Sequence, residues 1–209
     1  WTITAKTVTG ATDTTYAGTK TVTFSGPGTS PIGTGPSYPG SVTFTAGVAS
    51  PVSITLFKAE SIALTATQGS IAGTSTTVTV SAATPTKLSW GFTLPGGASW
   101  STPCTPESIT CVINAFGSNV TATGSVSALD AYDNLAQNVG KAITLAATNG
   151  SFAPPTTPSF PASGAATIAF SYTSRNGNGW SSASLTATGS AGQSWSPVVS
   201  APPITLNRQ

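Results

Sequence analysis

Histidine is absent from the 209 residues, and the commonest general base is absent with it. Neither a serine triad nor a histidine-ligated metal centre can be assembled. Methionine is also missing. No basic stretch followed by an apolar run and a small-residue cleavage site marks a signal peptide inside the chain, so secretion is expected to use one not present here. No apolar run approaches the roughly 20 residues that cross a bilayer as a helix. Charge is scarce, seven Lys and Arg against five Asp and Glu. The cations are scattered along the chain, which argues against a phosphate-reading surface for nucleic acid. Solubility must then come from hydroxyls and amides, so neighbouring molecules repel one another weakly and self-association meets little resistance. With acids only at Asp13, Glu60, Glu107, Asp130 and Asp133, paired-carboxylate catalysis has few candidates. The chain reads as a non-enzyme without a cofactor.

Thr, Ser, Ala, Val and Gly dominate what is present. β-branched side chains are stiff and pack well on a pleated surface. Short alternating segments recur, as in Ser41-Val42-Thr43-Phe44 and Thr77-Val78-Thr79-Val80, with the period of a half-buried strand. Turn pairs such as Gly26-Pro27 and Asn149-Gly150 punctuate them. The class is all-β, and the length fits two sandwich domains of roughly 100 residues each. Cys104 and Cys111 lie in a Pro/Thr/Ser-rich segment and are expected to form a short disulfide loop in an oxidising compartment, two reduced buried thiols being the alternative.

The first half of the chain repeats in the second. Ile3-Thr4-Ala5 matches Val120-Thr121-Ala122, and Ala11-Thr12-Asp13 matches Ala128-Leu129-Asp130 at the same offset. Lys20 to Phe24 then match Lys141 to Leu145, Ser53-Ile54 matches Thr167-Ile168, and Leu64 to Thr67 match Leu185 to Thr188. The boundary falls at the small-residue stretch ending in Pro85, giving domains 1–84 and 85–209. The Ala128 to Asn134 turn, the Gly-Lys-x-Ile/Val-Thr strand after it and the Leu-Thr-Ala-Thr near each domain's end resemble the bacterial immunoglobulin-like repeats of large surface proteins, the invasin and intimin type. That resemblance implies two tandem immunoglobulin-like β-sandwiches at the cell surface, in a stalk, adhesin or fibre. It names no ligand.

The second copy opens with Lys87-Leu88-Ser89-Trp90-Gly91-Phe92 before its Val120 segment, whereas the first has no such opening. The first domain is therefore expected to lack its first strand, leaving an empty edge around Trp1, Ile3 and Ala5. The C-terminal segment, with Val198, Ile204 and Leu206, reads as a spare strand able to fill that edge in the next copy, so that head-to-tail contacts propagate into a filament. Loss of the first strand in processing or in the chain as prepared is the alternative. Trp100, Trp180 and Trp195 are candidate sugar-stacking rings if the chain is instead a carbohydrate- or receptor-binding module that engages cell-surface glycans, and a virus-surface decoration domain is a third reading. Asp130, Asp133 and Asn134 are a calcium candidate, set against an ordinary turn in which such side chains bond their own backbone. Lys20, Lys141 and Glu60 are considered for a Lys-Asn crosslink, and Asn119 and Asn149 head glycosylation sequons.

Overall fold

Alternation drives the chain into strands, because a period of two places every second side chain on one face and lets an apolar face be buried while hydroxyls face water. The computed structural model describes residues 1–137, 139–153, 157–177, 179–191, 195 and 199–208, and every regular element among them is a strand. The chain divides into two compact units, Trp1–Ser81 and Ala82–Gln209.

Unit 1 carries β1 (Ile3–Thr4), β2 (Gly18–Lys20), β3 (Thr23–Ser25), β4 (Val42–Phe44), β5 (Val48–Ala49), β6 (Glu60–Ile62), β7 (Thr65–Gln68), β8 (Ile71–Thr74) and β9 (Val78–Val80). They pair antiparallel in small sheets: β1 with β5, β2 with β4, β6 with β9, and β3-β7-β8 in that order. Val22, Phe24, Val42, Phe44, Ala49, Val52 and Leu64 form its core.

Unit 2 carries β10 (Lys87–Thr93), β11 (Ser99–Thr102), β12 (Cys111–Phe116), β13 (Thr121–Leu129), β14 (Ile143–Ala147), β15 (Ser151–Ala153), β16 (Thr167–Thr173), β17 (Ser182–Gly189) and β18 (Ile204–Arg208). A four-stranded sheet, β10-β13-β16-β15, and a five-stranded sheet, β11-β12-β18-β17-β14, face each other across one apolar core. Val126, Phe170 and Tyr172 enter it from the first sheet and Ile113, Leu145, Leu185 and Leu206 from the second. This is the layering of a β-sandwich. Gly124 lets β10 and β13 lie close, since a side chain there would meet the Phe170 ring and the Gly91 carbonyl at 2.5 and 2.6 Å.

The C-terminal segment is not spare, contrary to the sequence reading. β18 lies inside its own sheet, parallel to β12 and antiparallel to β17, and Ile204 and Leu206 are wholly buried. Removing two such side chains from the core would cost about 3 kcal/mol or more. Val198 lies outside the described residues.

Hydrogen-bond registers give the correspondence between units directly. Phe24 pairs with Ala66 as Leu145 pairs with Ala187, in agreement with the sequence repeat. At the start the two differ. Ile3 pairs with Ala49, and the Ala5 amide donates to Gly47 O at 2.8 Å. In unit 2, Val126 pairs with Ile168, and the Ala128 amide donates to Ala166 O at 2.9 Å. The Lys6–Thr12 bridge likewise matches Leu129–Leu135. Ile3 is therefore the counterpart of Val126, not Val120, and Val48-Ala49, not Ser53-Ile54, matches Thr167-Ile168. By the same register Trp1 stands in the place of Gly124.

Candidate functional site

Unit 1 carries a groove beside β1. Among the described residues β1 has a strand on one side, β5, and β8 on one side, β7. Between β1 and β8 lies a cleft of about 380 Å³ whose apolar floor includes Ile3, Val22, Phe24, Phe44 and Leu64. Trp1 is anchored beside it: its amine donates to Val52 O at 2.9 Å and its carbonyl accepts from the Val52 amide at 2.8 Å. The indole stays 38% exposed, and Ile71 on the opposite rim is 60% exposed. Each position of β8 is exposed, an unprotected edge of the kind that recruits another strand.

Unit 2 has a strand in the corresponding place. β10 pairs with β13 over seven residues. On its other side the Leu88 amide donates to Ser200 O at 3.1 Å and the Trp90 indole N–H to Pro202 O at 2.8 Å. Leu88 and Trp90 are buried, and Trp90 meets Phe170 edge to face with centroids 5.5 Å apart. The residues flanking β10 have counterparts on both rims of the unit 1 groove. Trp1 to Ala5 stand for Gly124 to Ala128, while Ile71–Thr74 precede Ser75, which bonds Leu64, as Ser200 to Pro203 precede Ile204, which pairs with Leu185.

The other candidates are absorbed locally. Asp130 is buried and ties a turn together: Oδ1 accepts from the Tyr132 and Asn134 amides at 2.8 and 3.0 Å, and Oδ2 from the Ala83 amide and Asn134 Nδ2, both at 3.0 Å. Burial pushes its carboxyl upward, but bonds from the Asn134 side chain and the Ala83, Tyr132 and Asn134 amides outweigh that and hold it below the usual range. Asp133 Oδ1 lies 2.6 Å from Lys87 Nζ, which also pairs with Glu107. Burial pulls Lys87 down and these two carboxylates more than restore it, leaving its pKa raised. Both Asp130 oxygens thus already accept from protein donors and Asp133 Oδ1 faces the Lys87 ammonium, and among the described residues no group of three His, Cys, Asp or Glu gathers as a metal site.

Trp180 and Trp195 are buried, donating to Arg175 O at 3.0 Å and Ala142 O at 2.9 Å. Only Trp100, on β11, is half-exposed. Three rings do not make a surface platform. Cys104 and Cys111 are disulfide-bonded, their Cα atoms 5.1 Å apart. Lys20 and Lys141 lie over the rings of Tyr16 and Trp195, and Glu60 accepts from Lys58 and the Gly28 amide, so the groups considered for a crosslink are separately engaged. Asn119 is exposed, whereas Asn149 donates its amide to Ser182 O at 2.9 Å.

No family model matches this chain and no curated protein does. Among solved structures it is similar to domains 4 and 5 of the S-layer protein SbsC, at 14% identity and a TM-score of 0.28, over 98% of this chain and 79% of that one. At that score the two are not shown to share a fold.

Proposed function

We propose that this chain is a non-catalytic extracellular structural protein, a subunit of a surface filament or adhesin stalk. In this reading both units are immunoglobulin-like sandwiches of the bacterial surface-repeat type. The observation that carries it is the all-strand build of both units, with the sheet-on-sheet layering of unit 2. The scarcity of charge, the lack of histidine and the disulfide suit a passive part working outside the cell. Gold-conjugated antibody on intact source cells is the test. Label along fibres or over the surface layer is expected, and label confined to the cell interior would overturn the proposal.

A further inference from the structure

The two Asn-x-Ser/Thr sequons, Asn119-Val120-Thr121 and Asn149-Gly150-Ser151, are treated differently by the fold. An N-linked sugar needs a surface asparagine whose amide nitrogen is uncommitted, because the sugar takes the place of an amide hydrogen. Asn119 meets both conditions. It is exposed in the turn between β12 and β13, with φ at 54°, a left-handed conformation that asparagine tolerates. The turn is pinned from beneath. The buried Ser174 donates its hydroxyl to Gly117 O at 2.7 Å and accepts from the Val120 amide at 3.0 Å, and the Asn119 backbone amide donates to Arg175 O at 3.3 Å. These bonds hold the main chain of the turn and leave the Asn119 side chain out. Thr121, which opens β13, is exposed and shares a hydrogen bond with the Thr173 hydroxyl at 2.8 Å.

Asn149 is the contrary case. Half-buried between β14 and β15, it donates Nδ2 to Ser182 O at 2.9 Å, and its carbonyl accepts from the Tyr172 hydroxyl. A Cβ on Gly150 would collide with Thr173 O and the Tyr172 hydroxyl, so the main chain there is pressed against β16. Resting on the extracellular reading above, we infer that Asn119 is an N-glycosylation site and Asn149 is not. The donor is an oligosaccharide carried on a lipid diphosphate. A bond forms between Asn119 Nδ2 and the anomeric carbon of the sugar, and the bond from that carbon to the diphosphate oxygen breaks. The lipid diphosphate leaves, and a base of the transferase takes the Nδ2 proton. The glycan adds steric separation to a chain with little charge to keep its copies apart.

The test is peptide mapping of the protein purified from its source cells. Trypsin cuts after Lys87, Lys141 and Arg175, which places Asn119 in the peptide 88–141 and Asn149 in the peptide 142–175. Electron-transfer fragmentation then locates any sugar on the asparagine that bears it. Glycan is expected on Asn119, with Asn149 bare. Thr121→Val, made in the same cells, is expected to abolish the modification and Thr121→Ser to retain it. Neither change disturbs the left-handed residue, and circular dichroism checks both folds. The inference is overturned by a bare Asn119 in the native protein, by equal occupancy of the two asparagines, or by glycan on Asn119 that survives Thr121→Val. Gold labelling judges location separately: surface label with a bare Asn119 removes this inference alone, whereas interior label removes the extracellular reading.

Discussion

Unit 1 and unit 2 share their strand registers yet differ sharply in how much they bury. Among the described residues, 25 buried apolar side chains form the core of unit 2 and seven that of unit 1. Several in unit 2 are wholly inaccessible, Leu88, Ile113, Leu145 and Leu206 among them, whereas in unit 1 only Ala49, at 1%, approaches that. Of the 25, the 20 outside β10 and β12 still outnumber the seven of unit 1; the other five, Leu88, Trp90, Cys111, Ile113 and Phe116, lie on β10 and β12, strands without a counterpart among residues 1–81. A sheet pair can keep its pairing pattern without them, but it leaves apolar floor facing water, at about 25 cal/mol for each Å².

The sharpest way to break the contrast is to make unit 2 resemble unit 1. Trp90→Ala removes the ring against Phe170 and the bond to Pro202 O, and is expected to destabilise unit 2 by about 3–5 kcal/mol, measured by chemical denaturation, while hydrogen exchange in unit 1 stays unchanged. The converse is to add a strand beside β1 of unit 1. A copy of residues 87–93 joined ahead of Trp1 by a short turn is expected to stabilise unit 1 by about 2–3 kcal/mol, from burial of two large side chains, read as slower exchange in β1 and β8. Replacing Cys104 and Cys111 by Ser releases the short loop ahead of β12 and is expected to cost unit 2 about 2–3 kcal/mol, since cross-linking a loop of this length restricts the unfolded chain by that amount.

Acid should separate the units more gently. Asp130 titrates below 3.8 when folded, so its contribution is fully present above the unfolded value and is lost as pH falls through the folded one. Asp130→Asn is expected to flatten the stability of unit 2 below about pH 4 in acid titration monitored by near-ultraviolet dichroism. The smallest effect belongs to unit 1. Lys58→Ala breaks a partly exposed pair with Glu60 and is expected to change stability by less than about 1 kcal/mol, in the same denaturation assay.

The all-β class, the disulfide and the latter half of the repeat were legible because each has a local signature: alternation, two nearby cysteines, and Leu-Thr-Ala-Thr at matching places. The start of the repeat was not. Ile3 was aligned with Val120 instead of Val126, a slip of six residues, and an even slip keeps every inward position inward, so apolar patterning cannot reveal it. In Val48 to Ile54 the interruption at Ser50-Pro51 breaks the alternation and shifted the match again. The last strand was misread as spare because its counterpart in unit 1, β9, which pairs Val78 with Ile62 as Leu206 pairs with Ala183, shares no sequence match with it. Burial of Trp180 and Trp195 was not legible, since a tryptophan in a core and one on a platform look alike in sequence.

Native-state hydrogen exchange on the 209-residue chain tests most directly whether the smaller core of unit 1 leaves it less stable than unit 2. Amides of β1 and β8 are expected to exchange at least about a hundredfold faster than those of β13 and β18, corresponding to roughly 3 kcal/mol less protection. Equal protection in the two sets would contradict the account, because the seven-residue core would then hold its strands as firmly as the larger one.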